Sequence, residues 1–129
     1  MNLLLDAHTL YWSLYEPEHL SNRAADAIAD QGNNLYVSLA TVWELVNKAA
    51  VHRLPLAGSS VELMVKRIEE LGVIFLSITK AEIVTSATLP RHHGDPFDRI
   101  LVAQAQAHSL IIVTKDSKLP LYEVEILWS

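Results

Sequence analysis

Four short, uncharged runs recur along the chain: Asn2–Leu5 (NLLL), Leu35–Ser38 (LYVS), Val73–Ser77 (VIFLS) and Leu110–Thr114 (LIIVT). The last two are continuous and β-branched, and all suit strands buried on both faces. Between them the apolar residues take up helical spacing, over Ala7–Tyr15, Ser21–Asp30, Leu39–Val51, Ser60–Leu71, Thr79–Ala87 and Pro96–His108. A last short strand is expected over Glu123–Leu127. Strands alternating with helices predict an α/β fold, a mostly parallel sheet with helices on both faces. The 129 residues suffice for one core and not for two, so a single domain spanning residues 1–129 is expected.

Composition narrows the setting. There is no cysteine, hence no disulfide and no thiolate metal site, which fits a reducing cytoplasm. No apolar run approaches the roughly 20 residues that span a bilayer. The start, MNLLLD, lacks a basic segment and meets an acid after three leucines, unlike a signal peptide. A net charge of −5 counts against a surface built for phosphate contacts. Acids gathered around a divalent cation, however, carry a much less negative working charge than the formal count.

The placement of the acids therefore matters. Ligands of open parallel sheets collect beyond the carboxyl ends of the strands. Asp6 directly follows the first run, and Asp116 stands two residues after Thr114. Each also suits a helix cap or a turn. In Asp95-Pro96-Phe97-Asp98 the first aspartate reads as an N-cap before an N1 proline, with Asp98 at N3. Asp98 shares a helical face with Leu101, Val102 and Ala105, which carries it to the core edge, where a carboxylate needs a partner such as a metal. Glu44 lies opposite the stripe Leu39, Val42, Val46 and Ala49, four residues before Lys48. Spacing favours an ordinary surface ion pair there, though a polar face lining a cleft fits as well. His8, His92 and His93 fall near the acids without the i, i+4 spacing of a helical zinc site, which leaves structural or substrate-facing roles. Tyr11, Trp12 and Tyr15 exceed one core stripe, and either core packing or a protein contact accounts for them.

Asp6 with His8 after an apolar run, Ser38–Lys48 (SLATVWELVNK), His93–Arg99 (HGDPFDR) followed by Val102–Ala105, and Val113–Asp116 (VTKD) occur in this order. Together they resemble the PIN-domain ribonucleases, and within them the VapC-like toxins of type II toxin–antitoxin pairs. The likeness runs over nearly the whole chain. It implies a three-layer α/β/α sandwich with a parallel sheet of four or five strands. It also implies an acidic quartet of Asp6, Glu44, Asp98 and Asp116, with Thr114 as an orienting hydroxyl, Ser38 as a support at a strand end and Asp95 as an accessory acid. Four such carboxylates call for a cation, since unit charges about 4 Å apart repel by roughly 4 kcal/mol at an effective dielectric of 20. Oxygen ligands favour Mg²⁺ or Mn²⁺ over zinc.

The expected activity is metal-dependent endonucleolytic cleavage of RNA, with a cognate antitoxin as partner, a homodimer as the assembly and the cytoplasm as location. Lys48, Arg53, Arg91, Arg99, Lys115 and Lys118 are candidate phosphate contacts. Two departures bear on substrate detail: Ala7 stands where a threonine is common, and His52-Arg53-Leu54 where a glycine and a basic residue often close the helix. Other classes fit less well. A metal-dependent phosphatase with an aspartate nucleophile would want a second aspartate where His8 stands. A nonenzymatic PIN-fold module binding RNA or protein would be signalled by loss of an acid, and all four are present.

Overall fold

The computed structural model describes residues 1–51 and 55–129, so Arg53 of the expected phosphate contacts lies outside the described residues. Strand β1 (Asn2–Leu5) leads into helix α1 (Ala7–Tyr15), a 3-10 turn (Pro17–His19) and α2 (Asn22–Ala29). Strand β2 (Asn34–Ser38) is followed by α3 (Leu39–Ala50) and α4 (Val61–Glu70), and β3 (Ile74–Leu76) by α5 (Lys80–Thr88) and α6 (Pro96–His108). Strand β4 (Ile111–Val113), a second 3-10 turn (Leu119–Leu121) and β5 (Glu125–Leu127) complete the order. The five strands form one sheet in the order β3-β2-β1-β4-β5, every pair parallel.

The two faces of the sheet are covered by different helices, because side chains alternate along a strand. Leu3 and Leu5 of β1, Leu35 and Val37 of β2 and Val113 of β4 point into one core with Leu10 and Tyr11 of α1, Ala24 of α2, Leu45 of α3 and Met64 and Ile68 of α4. Leu4 and Ile112 point the other way, onto Leu101, Val102 and Ala105 of α6. The result is the three-layer arrangement the alternation predicts. Burial on both faces fails at the two edges of the sheet: in β3 Ile74 and Phe75 are 45% and 36% exposed, and in β5 only Leu127 is buried. An edge strand has one neighbour instead of two, and in β3 only Leu76 is buried in a core.

Helix starts are fixed locally. The side chains of Asp6, Ser21, Ser38, Ser60, Thr79 and Asp95 each accept a backbone N–H of the first turn, satisfying donors that the helix itself leaves free. At Thr79 the cap is reciprocal, with Glu82 accepting the Thr79 N–H in return. The strand order reverses between β1 and β4, whose carboxyl ends therefore flank a crevice.

Candidate metal centre

That crevice is where the acids meet. Asp6 leaves β1 and is buried; one carboxylate oxygen accepts the Thr9 N–H at 2.9 Å, while the other accepts the Thr114 hydroxyl from the end of β4. Thr9 Oγ1 in turn donates to the Val113 carbonyl at 2.9 Å, tying α1 to β4. Thr114 also accepts the Asp116 N–H at 3.0 Å, so one buried hydroxyl fixes two acids at once. Ser38, fully buried at the end of β2, caps α3 through the Ala40 N–H and so sets the direction of the helix that carries Glu44.

Glu44 corrects the spacing argument. It is 6% exposed, and it faces the crevice, not open solvent. The expected stripe is not the buried face of α3: Leu39 is 45% exposed and Val42 and Val46 are half-buried, whereas Ala40, Thr41, Glu44, Leu45 and Ala49 are buried. Lys48 Nζ donates to Glu44 Oε2 at 2.6 Å, a pair at the wall of the crevice. Asp95 caps α6 through the Phe97 N–H at 2.8 Å, as its spacing predicts. One turn on, Asp98 turns inward. Asp6, Glu44, Asp95, Asp98 and Asp116 all line a single cavity of about 180 Å³.

Of the structural and substrate-facing roles that spacing left open for His93, the side chain takes a structural one. Its Nε2 lies 2.9 Å from Asp98 Oδ2 and 3.0 Å from Asp116 Oδ2, bridging the acid on α6 to the acid after β4. Its Nδ1 accepts the Asp95 N–H at 3.0 Å, which places the ring hydrogen on Nε2, pointing at both carboxylates. The signal in the sequence was a histidine two residues before a helix cap, where the ring can fold back onto the cap N–H. His93 Nε2 and one oxygen each of Asp98 and Asp116 lie within 4.8 Å of one another. With its proton on Nε2 the histidine orients the two acids and leaves the carboxylate oxygens as the donors for an ion.

The two bridged acids are driven apart electrostatically. The Asp98 carboxyl is pushed up to about 7 by burial first, then by the neighbouring Asp95; His93 opposes this, and Asp6 and Glu44 add to it. Burial also raises Asp116, but the Lys118 N–H at 2.7 Å and His93 outweigh it and leave the carboxyl below its usual range. At mildly acid pH, below about 7, the pair therefore holds a proton on the α6 side and a charge on the β4 side. A cation between the acids would relieve the crowding that raises Asp98, so the donor set fits Mg²⁺ or Mn²⁺.

Arg99 does not belong among the phosphate contacts. It is 3% exposed, and its guanidinium donates to the carbonyls of Ser86, Leu89, Pro90 and His93 and to the Tyr122 hydroxyl. The fork is spent on the segment between α5 and α6, which it holds in place with His93 at its end. Tyr122 assists by accepting the His93 N–H at 2.9 Å. Lys115, Lys118 and Arg91 are exposed. Larger hollows of about 440 and 410 Å³ lie at the amino ends of the strands, and neither brings several acids together.

The PIN domain family model matches residues 3–125. Over 118 residues the chain is 34% identical to Ribonuclease VapC22 of Mycobacterium tuberculosis, covering 91% of this chain and 88% of that one. Its fold is similar to a chain of VapBC2 from Rickettsia felis, solved bound to a promoter DNA fragment, with a TM-score of 0.73 and 11% identity over all of both chains. A chain of DNA-bound VapBC from Salmonella typhimurium gives 0.70 and 17% over 98% of this chain and 97% of that one. FitAcB from Neisseria gonorrhoeae gives 0.66 and 22% over 97% and 96%. Among the described residues no helix is long and apolar enough to cross a membrane.

Proposed function

The chain belongs to the PIN-domain family, and from that premise we propose that it is a metal-dependent endoribonuclease, the toxin of a type II toxin–antitoxin pair. The observation that carries the reading is the convergence of Asp6, Glu44, Asp98 and Asp116 from four separate elements on one small cavity. Kinship with a ribonuclease over nine-tenths of the chain supplies the substrate class.

Asp6, Glu44, Asp98 and Asp116 would hold one or two Mg²⁺ or Mn²⁺ ions. Such an ion, when bound, activates a water and stabilises charge developing on the phosphodiester. The chain's own residues prepare the ground for it. Thr114 fixes Asp6 and the backbone of Asp116 in a single orientation. His93 holds Asp98 and Asp116 within reach of one another. Asp95 aims α6, and Ser38 aims α3. Lys48 and Lys115 supply positive charge at the rim, where a phosphate backbone would pass. A cognate antitoxin, a homodimer and a cytoplasmic location complete the proposal.

Incubating the purified protein with an RNA pool in Mg²⁺ or Mn²⁺ tests it. Cleavage is expected, and it should be lost both in EDTA and in Asp6→Asn. Cleavage that survives both controls would sink the reading, as would failure of the wild-type protein to bind Mn²⁺ in calorimetry.

A further inference from the structure

The acid cavity has a neighbour of different chemistry. A second hollow of about 340 Å³ shares Asp6, His8 and Asp116 with the first, and Trp12 and Lys115 complete its lining. The imidazole of His8 stacks on the Trp12 indole, with ring centres 5.5 Å apart and 23° between their planes. Trp12 is backed by Trp128 at 5.9 Å and His19 at 5.5 Å. Leu10 and Tyr11 of the first helix are buried in the core, Trp12 packs half-buried against its edge, and His8 is exposed. An aromatic wall thus stands beside a carboxylate cluster, with an exposed lysine at its lip.

We propose that this hollow is a nucleobase subsite: the base of the nucleotide adjoining the scissile phosphate seats against the His8–Trp12 pair, and Lys115 meets the flanking phosphate. The inference rests on the nuclease reading and extends it to substrate form. Stacking on aromatic rings combined with cations along the backbone is how proteins hold single strands with little regard to sequence. The two hollows share a wall, so a phosphate at Asp6 and Asp116 leaves its base within reach of Trp12. A base inside a duplex is already stacked on its neighbours, so the subsite selects unpaired RNA. An apolar peptide fits less well, because it would desolvate Asp6 and Asp116 without offering them a cation or a donor.

The test compares adenosine monophosphate with ribose phosphate, the same ligand without its base, in Mg²⁺. Wild-type protein should bind the nucleotide about tenfold more tightly, the scale of one stacked base. The Trp12 indole N–H signal in proton–nitrogen correlation NMR should shift with the nucleotide alone, while that of Trp43 stays still. Trp12→Leu and His8→Ala should each erase most of the preference, and Trp12→Phe should keep it, all with unchanged Mn²⁺ affinity. His8 is exposed, so its variant stays informative if Trp12→Leu fails to fold. Equal affinity for the two ligands, with Mn²⁺ binding intact, overturns the subsite alone. Loss of Mn²⁺ binding in the wild type overturns the nuclease reading and the subsite with it.

Discussion

Asp98 shows how one side chain couples the site to the stability of the whole chain. Its carboxyl sits at about 7 in the folded protein against an ordinary value of 3.8, so the folded state binds that proton more tightly than the unfolded chain does. The resulting stability is fully present below 3.8 and is lost as pH rises through 7. Asp116 and Glu82 have the opposite sign. Burial raises both, but hydrogen bonds from Lys118 and His93, and from Thr79, Gln104 and His108, outweigh it and leave them low. Their contribution is lost only in acid, below the usual carboxylate range. In EDTA, thermal melting should therefore show greater stability at mildly acid pH than at alkaline pH, by on the order of 2 kcal/mol. Asp98→Asn should flatten that dependence, and an unchanged slope would refute the assignment. Arg99 makes a second prediction at this scale. A buried cation with four carbonyls and a hydroxyl around it cannot be replaced by lysine, which lacks the fork. Arg99→Lys should lose about 3 kcal/mol in urea unfolding, with cleavage falling as the segment carrying His93 loosens.

Among the elements, α6 is fixed at both ends by different means. Its start is a well-made cap with proline at N1, and that geometry is what carries Asp98 to the crevice one turn later. Its end is less favourable, because Ser109 adopts a left-handed conformation at φ 55°, a position that glycine fills without steric cost. Ser109→Gly should raise stability by about 0.5–1 kcal/mol, read as a small upward shift in Tm. It should leave cleavage untouched, since Ser109 lies at the amino end of β4, away from the acids. A fall in Tm would mean that the serine side chain contributes more than its backbone strain costs. Helix α3 is the element whose legibility in the sequence was poorest. The stripe Leu39, Val42, Val46 and Ala49 pointed to the wrong side: the buried residues are Ala40, Thr41, Glu44, Leu45 and Ala49, because α6 packs against the helix across the crevice.

For the molecule as a whole, the parallel sheet sets the site. Five strands running the same way put all their carboxyl ends on one rim, and the reversal of order between β1 and β4 opens the crevice there. Carboxylates pressed together at that rim weaken the fold when no cation is present. Mn²⁺ should therefore raise Tm in a concentration-dependent way, by about 2.7 kcal/mol in stability at one hundred times Kd. Asp6→Asn should blunt the response, and a Tm indifferent to Mn²⁺ in the wild type would count against the whole arrangement.

The alternating runs determined the layers. Leu3, Leu4 and Leu5 are all buried because the strand is covered on both faces, and an uninterrupted apolar run is the direct mark of that. The same holds for caps, which depend on residues a few positions apart: Asp95 and Thr79 act as the local pattern says they must. The order of strands in the sheet, by contrast, is a matter of which distant segments pair, and no local spacing encodes it. For that reason Glu44 looked like surface, Arg99 looked like a phosphate contact and His93 had no partner in view. Each takes its environment from the way the chain folds back on itself: Glu44 from the acids after β1 and β4, Arg99 from the looped segment just before α6 and from Tyr122, His93 from Asp116. Short-range chemistry wrote the elements and their caps. Long-range packing alone decided which charges would be buried together.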